Sequence, residues 1–141
     1  MMTREQRGLR FAAGVTMGFG LMTALAALPQ LATPTVMLAD ILIWPVDGAE
    51  TGSLPEARLL YAIAGGALTG WGWMIWLLAG EAMDRQPGLV RAIIRQSLLL
   101  WFAVDSTGSV LAGAPLNVLA NGAFLALFLV PTLLQAPAKA A

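Results

Sequence analysis

Residues 89–134, LVRAIIRQSLLLWFAVDSTGSVLAGAPLNVLANGAFLALFLVPTLL, decide the fold. Two apolar runs, 89–112 and 116–134, flank the short connection Gly113-Ala114-Pro115. At a helical rise of ~1.5 Å per residue, each run is long enough to cross the ~30 Å hydrocarbon core of a bilayer. A connection this short leaves room only for a tight turn, so the runs are expected to form an antiparallel helical hairpin. Asp105 lies eight residues before Gly113 and Asn121 eight after it, while Ser109 and Asn117 stand four to either side. Equal rise places the members of each pair at a common depth. Asp105 and Ser109 are also i,i+4 neighbours, as are Asn117 and Asn121, so two polar faces meet as a ladder of two rungs, with Ser106 beside it.

Working outward, residues 59–79 form another apolar run. The polar connection 80–88, with Glu81, Asp84, Arg85 and Pro87, separates it from the hairpin. Residues 11–28 form a further run behind Arg4, Arg7 and Arg10. A basic start before an apolar stretch also describes a signal peptide, but this run is long for one, and we read it as a spanning helix. Residues 30–57 differ: they carry Pro34, Pro45 and Pro55 with the acids Asp40, Asp47, Glu50 and Glu56. The apolar part, 36–44, is too short to span and is expected to lie in the interface as a short helix, with Trp44 at headgroup depth. The expected fold is an all-α membrane protein of one domain, 1–141, with four transmembrane helices at about 11–28, 59–79, 89–112 and 116–134.

Composition supports this class. Of 141 residues, 58% are hydrophobic and only 11% are charged, with mean hydropathy +0.75. A soluble domain of this size cannot bury so much apolar surface, whereas lipid accepts it directly. Net charge is zero, so there is no basic excess for nucleic acid. Cysteine and histidine are absent, which removes thiolate and imidazole chemistry, the usual metal and haem ligands, and the usual general base. No phosphate loop, nucleophile elbow or HExxH motif is present. No enzyme activity, cofactor or metal site is expected.

Lysine and arginine placement sets the expected orientation. Arg4, Arg7 and Arg10 precede the first span, Arg85, Arg91 and Arg95 lie at the junction of the second and third, and Lys139 follows the fourth. With four spans all seven fall on one side, and the other side has only Arg58. Both termini are therefore expected in the cytoplasm.

Within this frame Asp105 stands out as the only acid inside an expected span. A charged side chain at membrane depth costs a few kcal/mol or more unless it is paired or wet. One reading is interhelical hydrogen bonding by Asp105, Ser106, Ser109, Asn117 and Asn121; the other is an outward-facing site for a cation, a proton or a polar head group. Small residues recur every four positions at Gly14 and Gly18 and at Ala62, Gly66 and Gly70, with Gly65, Thr69 and Gly72 widening the second face, a spacing that lets helices approach closely. These are expected to pack the first two spans together or to serve self-association. Trp44, Trp76, Arg91 and Arg95 are expected as interface anchors, with Arg91 paired to Glu81 or set against anionic lipid head groups.

The stretch 59–131 resembles a group of small bacterial four-helix integral membrane proteins. The resemblance rests on Gly65-Gly66, Gly70-Trp71, Trp101-Phe102, Asp105-Ser106, Ser109, Gly113, Asn117, Asn121 and Pro131. It implies a multi-pass protein of the bacterial inner membrane and no particular reaction. The leading expectation is a non-enzymatic accessory protein, embedded in the lipid bilayer, that packs on a larger membrane protein complex or forms a homo-oligomer. The alternative is a small-molecule, lipid or ion binding or transport protein centred on Asp105.

Overall fold

The computed structural model of the chain describes residues 2–133. All regular structure among them is helical: α1 (Arg4–Leu25), α2 (Thr33–Leu42), α3 (Pro55–Leu77), α4 (Met83–Arg85), α5 (Pro87–Leu111) and α6 (Leu116–Leu133). A single π turn, Leu78–Ala82, joins α3 to α4, so that helix runs from Pro55 to Arg85 with a kink at Gly80. Four helices are long and apolar enough to cross a membrane: Arg4–Leu25, Pro55–Arg85, Pro87–Leu111 and Leu116–Leu133. Large apolar side chains such as Leu60, Leu100, Val104 and Leu119 point outward along them, each more than 60% exposed. An apolar exterior of this extent is what a lipid-facing surface requires.

The first span begins seven residues earlier than its apolar run. Thr3 caps it: the Thr3 hydroxyl accepts from the Gln6 amide at 3.1 Å, and Gln6 Oε1 accepts from the Thr3 amide at 2.8 Å. This reciprocal box nucleates the helix ahead of the arginines. The short apolar helix is Thr33–Leu42 rather than 36–44, starting with Pro34 in its first turn. Trp44 therefore lies beyond the helix, 68% exposed, with its amide bonded to the Gly113 carbonyl at 3.2 Å. That bond ties the segment after α2 to the α5–α6 turn. Residue 134, the expected end of the fourth span, and Lys139 lie outside the described residues.

Helix α1 packs against α3 on one side and α6 on the other, and α6 pairs with α5. The α1–α3 contact is closest, and of the small residues expected on the second span it uses Gly65, Thr69 and Gly72 rather than Ala62, Gly66 and Gly70. A Cβ at Gly65 would strike the Ala24 amide nitrogen, and one at Gly20 would lie 2.6 Å from the Thr69 nitrogen. Only glycine permits that approach of two backbones. Gly14, Gly18, Gly66 and Gly70 have nothing within 4 Å of such an atom, and Ala62 is half-buried. On α3 the packed side is the Gly65, Thr69 and Gly72 edge of the expected small surface, and the Gly66 and Gly70 edge is left bare.

The bundle is packed unevenly along its length. Leu9, Ile75, Ile94, Leu98 and Phe128 form a buried core towards the end where α1 starts. That end is also fastened by polar contacts. Glu5 forms a two-pronged ion pair with Arg91, 2.8 and 2.6 Å, and Gln6 Nε2 donates to Asp84 at 2.7 Å. Arg91 thus pairs with Glu5 on α1, and Glu81 instead takes its neighbour Arg85. Arg95 donates to the Thr132 hydroxyl at 3.0 Å and its carbonyl at 2.6 Å, closing α5 onto the end of α6. Both described ends of the chain therefore lie at one end of the bundle, as four spans demand. Midway along the bundle, α3 and α5 approach through side chains, Trp71 and Trp101, with ring centroids 5.5 Å apart.

Candidate functional site: an intramembrane carboxyl at a cavity

The α5–α6 turn sets the register of the site. Gly113, at φ +82°, takes the left-handed conformation that reverses the chain. The two helices then run back side by side, and Asp105 meets both asparagines. Asn117 Nδ2 donates to Asp105 Oδ1 at 3.0 Å, Asn121 Nδ2 at 2.8 Å, and the Ser109 hydroxyl at 3.1 Å. Asn117 also reaches Ser109 Oγ at 2.8 Å, and Asn121 reaches Ser106 Oγ at 3.3 Å. All five polar residues expected to meet do meet. Their arrangement is a convergence on one oxygen rather than two separate rungs. Oδ2 of Asp105 accepts no hydrogen bond from the described residues.

A cavity of about 290 Å³ opens beside this carboxyl. Asp105, Asn117 and Asn121 form its polar end. Its walls are apolar: Phe19 from α1, Leu38 and Leu42 from α2, Leu68 from α3, and Trp101 and Phe124 from α5 and α6. Every long helix and α2 contribute, so the cavity is a property of the whole bundle. Its volume lies near the lower end of the range for small-molecule sites, ~300–1,000 Å³, and its composition is the usual one of apolar walls with a few placed polar groups.

Each helix presents the site through one face. On α6, Asn117, Asn121, Phe124 and Phe128 follow i, i+4, i+7, i+11 spacing, and on α5 Trp101 precedes Asp105 by four. Phe124 lies 5.8 Å from Trp101 and 5.7 Å from Phe128, and Trp71 lies 6.0 Å from Phe128, so an aromatic layer floors the cavity above the packed core. The walls from Phe19, Leu38 and Leu42 escape a sequence reading, because nothing local tells how the segment after α1 folds back. The aromatic spacing on α6 is the signal that could have extended the site beyond its polar residues. No known protein family, curated protein or solved structure matches this chain.

The remaining expected anchors are placed as follows. Trp76 lies under Arg10, whose guanidinium sits 5.1 Å from the ring centroid. Arg91 and Arg95 are engaged within the protein by Glu5 and Thr132. A second polar group was not anticipated: Asp40 of α2 and Asp47 and Glu50 of the connection after it bring their carboxylate oxygens within 4.8 Å of one another. Backbone amides of Gly48 and Ala49 donate to Asp40 and Asp47. The Glu50 carboxyl is raised above its ordinary range, first by a side-chain hydrogen bond with Asp40, then by lost hydration and the neighbouring negative charges.

Proposed function

We propose that this is a multi-pass protein of the bacterial cytoplasmic membrane, with both termini in the cytoplasm, that binds a small amphipathic molecule in the cavity at Asp105. The observation that carries the reading is a carboxyl with one oxygen tied down by Ser109, Asn117 and Asn121, set at the polar end of an apolar cavity. Three donors hold the carboxyl in place to accept from an occupant. A primary amine or similar cationic head suits it, with an aliphatic or aromatic body against Phe19, Leu68 and Phe124. The exposed apolar belt supports the membrane placement, and the arginine asymmetry supports the orientation.

Octylamine, octanol and octanoate, added to the purified chain in nanodiscs, test the reading through the unfolding temperature. A ligand that binds only the folded state raises it by mass action. Octylamine is expected to stabilise the wild type, the other two much less, and Asp105→Asn is expected to erase the difference. Equal shifts from all three compounds would mean partition into the bilayer and would remove the site.

A second reading, an accessory chain docked on another membrane protein, is favoured by the bare outer face at Gly66 and Gly70. It predicts a partner of fixed stoichiometry in native mass spectra of gently extracted membranes, lost on Gly66→Leu.

A further inference from the structure

Six arginines, Arg4, Arg7, Arg10, Arg85, Arg91 and Arg95, sit at the end of the bundle where α1 begins, and two pairs among them differ in how they are engaged. Arg91 and Arg95 are engaged by Glu5 and by Thr132. Arg7 and Arg10 have no acidic partner among the described residues. Arg10 lies over the Trp76 ring at 5.1 Å, and among the described residues its hydrogen bond runs to the Met2 sulfur at 3.5 Å.

Both arginines stand over a surface groove of about 610 Å³ between α1 and α3, floored by Phe11, Gly14, Val15 and Trp76. Arg7, Phe11, Gly14 and Gly18 follow i, i+4, i+7, i+11 spacing, so they line one face of α1. Gly14 and Gly18, which the α1–α3 contact does not use, have open space where a side chain would stand. The face therefore runs from two cations past the exposed Phe11 to the bare backbone at Gly14 and Gly18. Its length from Arg7 to Gly18 is ~16 Å, close to the ~15 Å depth of one leaflet's hydrocarbon.

We propose that this groove seats one anionic glycerophospholipid, its phosphate between Arg7 and Arg10 and an acyl chain along Gly14 and Gly18. The proposal rests on the membrane placement above. Phosphate matches guanidinium geometry in a way a single carboxylate does not need to. Net negative charge is required because the ammonium of a zwitterionic lipid would sit among the same arginines. The site is separate from the Asp105 cavity, which is lined by other residues.

The test is native mass spectrometry of the delipidated full chain mixed with equal amounts of dioleoylphosphatidylglycerol and dioleoylphosphatidylcholine. One bound phosphatidylglycerol per chain is expected, favoured by roughly thirtyfold, the effect of two interfacial arginines. The double change Arg7→Gln with Arg10→Gln is expected to remove the preference. Gly14→Leu, at a position where a Cβ meets nothing within 4 Å, is expected to lower binding, while Gly122→Leu, open by the same measure but outside the groove, is not. Equal binding of the two lipids, or a preference that survives the arginine changes, overturns the proposal. Release of the chain from membranes by alkaline carbonate would overturn the membrane placement and this site with it; retention with no lipid preference removes this site alone.

Discussion

At the scale of single residues, the Asp105 carboxyl is held by a short list of bonds, and each predicts a cost. Asp105→Leu leaves the Asn117 and Asn121 amides without the oxygen they share, a loss on the order of 1–3 kcal/mol for buried donors. Asp105→Asn keeps a carbonyl oxygen in the same place and is expected to cost less than about 1 kcal/mol, since interhelical bonds average ~0.6 kcal/mol. Unfolding temperatures in one detergent measure both, and a Leu variant as stable as wild type would show that the cluster is not formed. Glu50 gives a pH-dependent counterpart. Its folded pKa lies above its ordinary value of 4.5, so its contribution is present below that value and is lost as pH rises through the folded one. Stability is therefore expected to fall across that window in the wild type, and Glu50→Gln is expected to flatten the slope in a series of melts. Asp105 and its partners were legible from sequence because a three-residue turn fixes register, and register fixes who meets whom. The Glu5–Arg91 pair was not, because it joins residues 86 positions apart whose helices become neighbours only in the assembled bundle. Charge alone suggested the nearer Glu81, which the local Arg85 takes.

At the scale of helices, the boundary between packed and bare glycines offers a sharp comparison. Gly65 and Gly66 are adjacent, yet one is pressed against Gly20 and Ala24 of α1 and the other faces outward. Gly65→Ala would drive a methyl group into backbone, which cannot yield as a flexible side chain can. Separation of α1 from α3, with a loss of several kcal/mol, is the expected result, comparable to severe overpacking. Gly66→Ala meets nothing and replaces the least favourable ordinary helix residue by the best, so it is expected to stabilise by roughly 0.5–1 kcal/mol. Thermal melts of the two variants decide it, and equal effects would mean that the α1–α3 contact does not run through Gly65. Sequence spacing found that these helices pack through small residues, and on α3 it marked both edges of the small face without saying which one α1 takes. Gly65, Thr69 and Gly72 lie one residue away from Ala62, Gly66 and Gly70, and both sets repeat with near-helical spacing. The selection is made in three dimensions: α1 and α6 must also meet, and Gly8 against Pro131 constrains the angle of α1.

At the scale of the whole molecule, the polar groups divide between two ends with different duties. One end holds Glu5, Gln6, Asp84, Arg91 and Arg95 in bonds that close the bundle over a buried core. The other holds the cavity, covered by α2, and the acidic connection 43–54. Arg58, the single cation of that end, is spent on the Ala27 carbonyl at 2.8 Å, so it leaves the acids there unopposed. Charge asymmetry of this kind sets membrane orientation during insertion, because basic segments resist translocation and acidic ones contribute little. The arginine-rich end is therefore expected in the cytoplasm and the cavity in the outer half of the bilayer. The chain has no cysteine, so single cysteines report topology without background. Ser53→Cys and Gln86→Cys place a thiol at exposed positions on opposite ends. In intact spheroplasts a membrane-impermeant maleimide is expected to label the first and spare the second, with both labelled after lysis. The reverse pattern would put the Asp105 cavity against the cytoplasm and send the search for its occupant inward. Labelling of both thiols before lysis would mean that the four apolar helices do not span, and would remove the physical reason for their exposed leucines and valines.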